Sequence, residues 1–210
     1  MSHSLDHLVQ TGLSLADTDK ALILLHGRGA TAESILTLAD DLEAFGYAIL
    51  APQATGNQWY PNRFIAPKEQ NEPHLSSALE LLEEVVGKLN NGGIATDKIV
   101  IAGFSQGACL ASEFVAQHPA RYGGLLVFSG GLIGLGPTVH RGLYNGSLDN
   151  TPVFMGCSDV DFHIPIERFE RSGQILSDLG AEVNLKVYPG MDHTIIQDEI
   201  DEAKKLLAKV

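Results

Sequence analysis

A β-branched apolar run, a glycine-flanked serine and an alanine-rich stretch follow one another in Ile99-Val100-Ile101-Ala102-Gly103-Phe104-Ser105-Gln106-Gly107-Ala108-Cys109-Leu110. The apolar run has the length of a buried strand and stops at Gly103. A helical pattern begins just past Ser105, so the serine lies at a strand-to-helix corner. Gly-x-Ser-x-Gly in that setting is the pattern of a nucleophile elbow, and it predicts that Ser105 is a nucleophile.

The glycines on both sides of Ser105 have a steric reason. A turn this sharp drives the serine toward unfavourable backbone angles and brings the flanking backbone close to strand and helix, where a Cβ would collide. The N–H of Gln106 then lies at a helix N-terminus, and we expect it to face a developing oxyanion. The alternative is a glycine-rich connection in which Ser105 only caps the helix.

Composition and charge limit the class of protein. The 210 residues are 44% hydrophobic and 19% charged. This composition and length favour a single globular domain that comprises residues 1–210. A formal net charge of -12 disfavours nucleic acid or an anionic membrane surface as a partner.

The cysteines and the N-terminal residues bear on location. Cys109 and Cys157 are too few for a disulfide framework or a metal site, and we expect both to be buried in a reducing compartment. The first residues show neither a basic nor an apolar region of a signal peptide, and the most apolar stretch is too short to span a bilayer. These features predict a cytoplasmic location without stable membrane insertion.

Predicted strands and helices alternate along the chain. Predicted strands lie at 22–25, 47–52, 99–102, 125–128, 152–155 and 183–188, most of them continuous apolar runs, and helical spacing occurs at 35–45, 72–91, 106–118, 165–179 and 196–207. This alternation predicts an α/β fold, with a mainly parallel sheet of about seven strands and helices on both faces. Functional residues of such a sheet gather on loops at the carboxyl ends of its strands.

A serine nucleophile needs an imidazole base and a carboxylate that orients it. His193 directly follows the last predicted strand in Tyr188-Pro189-Gly190-Met191-Asp192-His193, so we expect it at the carboxyl edge of the sheet. The alternative for His193 is a solvated residue at the start of a helix.

Two carboxylates compete for the third position. Asp159 lies three residues past Gly156, the glycine at which the preceding strand is expected to end, and Asp161 lies four residues before Pro165, which opens the next helix. We favour Asp159, because distance from a strand end fixes most directly where a side chain emerges. Asp161 is left as a helix-capping or supporting acid.

The order serine, acid, histidine resembles that of the α/β-hydrolase superfamily, and within it the phospholipase/carboxylesterase group that includes acyl-protein thioesterases. The resemblance rests on Leu24-Leu25-His26-Gly27-Arg28-Gly29, Gly103-Phe104-Ser105-Gln106-Gly107, residues 156–165 and Gly190-Met191-Asp192-His193-Thr194. These motifs occur in the family's order over nearly the whole chain.

The resemblance implies an α/β-hydrolase fold with a minimal lid and a serine hydrolase that uses neither metal nor organic cofactor. It implies a small-molecule ester as substrate, with an acyl thioester or lysophospholipid as the alternative, and it allows a homodimer. It also places the backbone N–H of Arg28 opposite that of Gln106 in the oxyanion hole. The rival outside enzymes is a non-catalytic binding protein on a hydrolase fold.

Three aromatic residues are candidates for the substrate pocket. Trp59, Tyr60 and Phe64 belong to a segment, residues 53–70, that is broken by prolines and asparagines. Exposed aromatics beside a catalytic edge need a partner, so we expect these side chains to wall the acyl side of the pocket. The alternative is a loop that packs on the core.

Further polar residues have plainer interpretations. The Arg28 side chain suits either a substrate carboxylate or phosphate or a surface salt bridge, and His26 is expected to be a structural hydrogen-bonding residue. His74 and His163 are expected to be solvated loop histidines, and the alternative is that they approach the acid loop or the mouth of the site. A metal site at Asp159, Asp161 and His163 is disfavoured because no further ligand has a recognisable spacing.

Overall fold

The computed structural model describes residues 2–136 and 139–210. Within them, seven strands form one sheet in the order β1-β3-β2-β4-β5-β6-β7. The strands are β1 (Leu8–Gly12), β2 (Ala21–Leu25), β3 (Ala48–Pro52), β4 (Ile99–Phe104), β5 (Gly124–Phe128), β6 (Pro152–Ser158) and β7 (Glu182–Tyr188). All neighbouring pairs are parallel except β1 and β3.

Strand β1 is the one that the sequence analysis did not predict. It pairs antiparallel with β3 at the sheet edge, with Leu8 opposite Pro52 and Gly12 opposite Ala48. An edge strand buries little, and the last three residues of β1 are exposed, so no continuous apolar run marks it.

Helices cover both faces of the sheet. They are α1 (Ala32–Ile35), α2 (Thr37–Asp41), α3 (His74–Asn91), α4 (Gln106–Gln117), α5 (Ile166–Asp178) and α6 (Gln197–Leu207). Side chains alternate along each strand, so Ile23 and Leu25 of β2 belong to the core on the side of α3, α4 and α5, while Leu22 and Leu24 belong to the core on the side of α1, α2 and α6. The predicted α/β class, with a mainly parallel sheet covered on both faces, is confirmed.

The single helix expected over 35–45 is wrong. The chain forms the two short helices α1 and α2, and it turns through a left-handed conformation at Glu43, where φ is 53°. Phe45 lies beyond that turn and is 73% exposed, although its spacing had placed it on the buried face. Helical spacing cannot reveal such a break because Leu38 and Leu42 still reach the core.

None of the helices in residues 2–136 and 139–210 is long and apolar enough to cross a lipid bilayer.

Candidate active site

The corner between β4 and α4 has the geometry expected of an elbow. Ser105 adopts φ 55° and ψ −117°, a backbone conformation that residues other than glycine rarely adopt. A Cβ on Gly103 would lie 2.5 Å from the carbonyl carbon of Gly107, and a Cβ on Gly107 would lie 2.1 Å from the carbonyl oxygen of Leu25. The steric reason given for the two glycines is therefore confirmed, and the corner places Ser105 at the carboxyl edge of the sheet.

Ser105 and His193 meet at this edge. Nε2 of His193 lies 2.8 Å from Oγ of Ser105, and Nδ1 of His193 lies 2.6 Å from Oδ2 of Asp161. The three side chains come from the elbow, from the loop after β7 and from the loop after β6. They form a continuous hydrogen-bonded chain from hydroxyl to imidazole to carboxylate, which is the arrangement of a catalytic triad.

The choice of Asp159 as the carboxylate partner of His193 is wrong. Strand β6 does not end at Gly156 but continues through Ser158, so Asp159 directly follows the strand. Its Oδ1 accepts a hydrogen bond of 2.8 Å from the N–H of Gly190 and thereby joins the loops after β6 and β7. The side chain that reaches His193 belongs to Asp161, two residues further along.

The carboxylate of Asp161 is held in its ionised form. Its side chain is fully buried, and burial by itself would raise the pKa. The hydrogen bond with His193 and those from the N–H groups of His163 and Ile164 outweigh that effect, so the pKa of Asp161 lies below its ordinary value. The carboxylate therefore remains charged opposite the imidazole, as an orienting acid must.

Two backbone N–H groups border the site beside Ser105. Arg28 follows β2 and Gln106 begins α4, and both residues line the cavity that contains Ser105. Neither N–H donates a hydrogen bond to another group among the described residues. Arg28 and Gln106 thus both lie at the cavity of Ser105, and their part as oxyanion-hole donors stays a prediction.

The side chain of Gln106 has a structural role that the sequence did not reveal. Its Oε1 accepts the N–H of Trp59 at 3.0 Å, and its Nε2 donates to the carbonyl of Tyr60 at 2.8 Å. Gln106 is buried, so these two bonds fix the segment 53–70 against the elbow. A glutamine within Gly-x-Ser-x-Gly gives no local signal for such long-range bonds.

The guanidinium of Arg28 also holds this segment. It donates to Oε1 of Gln58 and to the carbonyls of Tyr60, Pro61 and Asn62, at distances of 2.6 to 2.9 Å. No described carboxylate pairs with it, so the surface salt bridge is wrong. Four of the five N–H donors of the guanidinium are occupied, which also removes it as a receptor for a substrate anion.

A cavity of about 570 Å³ opens at Ser105, and two of the three predicted aromatics line it. Tyr60 and Phe64 are on its wall. Trp59 is not: its side chain is completely buried, and its indole N–H donates to the carbonyl of His26 at 2.8 Å. The prediction that Trp59 walls the pocket is wrong because the indole packs on the core, whereas acyl binding by Tyr60 and Phe64 stays a prediction.

The remaining histidines differ in position. His26 is fully buried and accepts the N–H of Ala54, and burial lowers its pKa, which confirms its structural role. His163 lines the cavity with its ring centroid 4.7 Å from that of His193, so it is a residue of the site and not merely a solvated one. His74 begins α3 and does not line this cavity.

In the described part of the chain, no group of three or more histidine, cysteine, aspartate or glutamate side chains is arranged to hold a metal ion.

Comparisons with known proteins bear on the family of this chain. Residues 14–210 match the family model described as phospholipase/carboxylesterase. A crystal structure of a phospholipase/carboxylesterase from Dyadobacter fermentans superimposes with a TM-score of 0.95 at 43% sequence identity, and the match covers 99% of this chain and 98% of that one.

Curated relatives are more distant. Acyl-protein thioesterase 1 of Gibberella zeae is 32% identical over 119 residues, which are 57% of this chain and 51% of the relative. Acyl-protein thioesterase 1 of Saccharomyces cerevisiae is 32% identical over 135 residues, which are 63% of this chain and 59% of the relative. The chain spans about half to three fifths of the length of these curated relatives.

Proposed function

We propose that this chain, which belongs to the phospholipase/carboxylesterase family of α/β-hydrolases, is a serine carboxylesterase that forms an acyl-enzyme on Ser105. One observation carries the proposal. The hydroxyl of Ser105 is hydrogen-bonded to His193, which is hydrogen-bonded to the buried Asp161, and the hydroxyl faces a cavity of about 570 Å³.

Acylation begins with attack of Ser105 Oγ on the ester carbonyl. Nε2 of His193 takes the serine proton, and Asp161 holds the ring in the required tautomer and stabilises the imidazolium that forms. The N–H groups of Arg28 and Gln106 stabilise the negative charge on the carbonyl oxygen. His193 then gives its proton to the departing alcohol.

Deacylation repeats these steps with water as the nucleophile. His193 removes a proton from water as it attacks the acyl carbon, and the proton returns to Ser105 Oγ when the acid leaves. The cycle uses side chains and backbone N–H groups of this chain and needs no cofactor.

An acyl thioester or a lysophospholipid is the alternative substrate. The similarity to two acyl-protein thioesterases supports the thioester, since the same acyl-enzyme forms whether the leaving group is an alcohol or a thiol. Because those matches cover only part of each relative, we place the carboxylic ester first. The unpaired, buried cysteines Cys109 and Cys157 support a reducing location such as the cytoplasm.

Replacement of the nucleophile tests the proposal. We expect Ser105→Ala to abolish turnover of a p-nitrophenyl ester while its circular dichroism spectrum stays that of the unaltered protein. A fluorophosphonate probe should label the unaltered protein and not the variant. Retained turnover in Ser105→Ala would contradict the assignment, and absence of both turnover and labelling in the unaltered protein would favour the non-catalytic binding protein.

A further inference from the structure

The cavity at Ser105 is lined by positively charged and neutral residues only. Among the described residues, two arginines and two histidines line it, and no aspartate or glutamate does: Arg28, Arg63, His163 and His193. Asp161 lies behind His193 with a fully buried side chain. The site therefore presents arginine and histidine side chains to a ligand and no exposed carboxylate.

This lining contrasts with the rest of the molecule. The chain has 26 acidic and 14 basic residues and a formal net charge of -12. A protein of that charge repels anions at long range. A cation at the cavity therefore attracts an anionic ligand mainly at short range, where it contacts the ligand directly.

Of the two arginines, Arg63 is the one whose donors are largely unused. Arg28 is occupied by four oxygen acceptors of the segment 58–62. Within the described residues, the side chain of Arg63 makes only two long hydrogen bonds, of 3.4 and 3.3 Å, to the carbonyls of Phe162 and His163, and no carboxylate pairs with it. Both long bonds use the same nitrogen, Nη2.

From this geometry we propose that the ester substrate carries a carboxylate, in its acyl or its alcohol part, which Arg63 binds at the exposed rim of the cavity. The inference rests on the proposed function and names its substrate class. Nη1 and Nε have no acceptor among the described residues, so either of them can bind one carboxylate oxygen while the adjacent Nη2, whose present bonds are long, binds the other. A single available guanidinium suits a monoanion, so we place a carboxylate before a phosphate.

The position of Arg63 places a bound substrate carboxylate close to the ester bond that reacts. Its Nη2 contacts the carbonyl of His163, and the His163 ring lies 4.7 Å from the ring of His193. A carboxylate held there lies near the triad, and its fixed position orients the ester carbonyl toward Ser105.

Matched esters test the proposal. The p-nitrophenyl monoester of adipic acid is compared with the p-nitrophenyl ester of adipic acid monoamide, and 4-carboxyphenyl acetate is compared with 4-carbamoylphenyl acetate. In at least one pair we expect kcat/KM to be higher for the carboxylate ester, and Arg63→Gln should lower the charged-to-neutral ratio about tenfold, chiefly through KM. Arg63→Lys keeps the charge and should retain part of the preference.

Arg121 supplies the matched control. It is also exposed and donates to backbone carbonyls, those of Asp149 and Asn150, but it does not line the cavity. Arg121→Gln removes the same net charge and should leave the ratio unchanged. The preference should also shrink between about 0.05 and about 0.5 M salt, because Arg63 is exposed. A structural role of Arg63 would slow both esters of a pair equally and overturn the proposal.

Binding separates this proposal from the proposed function. With Ser105→Ala, calorimetry should show tighter binding of the carboxylate ester than of the amide ester, and Ser105→Ala/Arg63→Gln should lose the difference. If no ester is hydrolysed but this difference is present, the proposed function fails and the carboxylate site stands. If esters are hydrolysed with no preference for the carboxylate in either pair, the carboxylate site fails, and a preference for a phosphate-bearing acetate ester alone would also overturn it.

Discussion

Oδ2 of Asp161 lies 2.6 Å from Nδ1 of His193, although 32 positions separate the two residues in the chain. The contact exists because the parallel strands β6 and β7 are neighbours, so the loops that follow them meet at one edge of the sheet. Asp159, in the same loop as Asp161, instead bonds to the backbone of Gly190. The two aspartates thus have separate roles that substitutions can distinguish.

The two aspartates should respond very differently to loss of charge. We expect Asp161→Asn to lower kcat for a p-nitrophenyl ester by about 10³-fold or more, because the amide favours the wrong tautomer of His193. Asp159→Asn keeps an oxygen acceptor for Gly190 and should stay within about threefold of the unaltered protein. Steady-state kinetics on folded samples checks both, and a larger loss in Asp159→Asn would contradict the structural assignment.

The glycine after the nucleophile should tolerate no side chain. A Cβ on Gly107 would meet the backbone of Leu25 and His26 at 2.1 to 2.7 Å, and neither strand nor helix can move away. We expect Gly107→Ala to lower the free energy of unfolding by about 3 kcal/mol or to prevent folding. Urea denaturation measures the change.

A second glycine serves as the control for that substitution. Gly87 lies within α3, and a Cβ there would have no neighbour within 4 Å. Alanine has the higher helix propensity, so Gly87→Ala should raise the free energy of unfolding by about 0.5 to 1 kcal/mol. Equal urea midpoints for the Gly87 and Gly107 variants would be incompatible with the packing described for the elbow.

Substitutions at Trp59 and Phe64 should affect different properties: stability at Trp59 and substrate selection at Phe64. Trp59→Phe loses the indole N–H bond to His26, so we expect a stability loss of about 1 to 3 kcal/mol and an unaltered preference for acyl length. Phe64→Ala enlarges the cavity and should shift the preference severalfold toward longer or bulkier acyl groups. A series of p-nitrophenyl esters measures the preference, and a shift in Trp59→Phe without one in Phe64→Ala would reverse the assignment.

Glu199 should make stability depend on pH. It is fully buried in α6, and burial raises the pKa of its carboxyl to about 7 even though it accepts the N–H of Ile196. Between its ordinary pKa of 4.5 and about 7, the folded chain binds more protons at this group than the unfolded chain. The free energy of unfolding therefore falls as the pH rises through this window, by about 3 kcal/mol in total.

Glu199→Gln isolates this contribution because its side chain does not ionise. Urea denaturation at about pH 5 and about pH 8 should show a smaller decrease in the variant than in the unaltered protein. An identical pH dependence in both proteins would show that Glu199 titrates normally.

Much of the fold follows from patterns that are local in the chain. Five strands are visible as apolar runs because a parallel sheet covered on both faces buries nearly every residue of its central strands, while β7 at the other end of the sheet shows apolar and polar residues in alternation. Edge strand β1 is largely exposed and gives no such run. The end of α2 is likewise not visible in the sequence, since the turn at Glu43 leaves the apolar spacing of Leu38 and Leu42 intact.

The sequence by itself determined the elbow, because a glycine-flanked serine between a strand and a helix is a steric requirement that nearby residues fully express. It also indicated His193, since the loop that carries this residue directly follows a strand at the carboxyl edge of the sheet. Only the tertiary structure decided that Asp161 and not Asp159 contacts His193, that Trp59 is buried beneath the cavity, and that Arg28 is occupied while Arg63 has donors to spare. Those outcomes depend on where a strand ends and on hydrogen bonds between segments far apart in the chain, and no local pattern of residues specifies either.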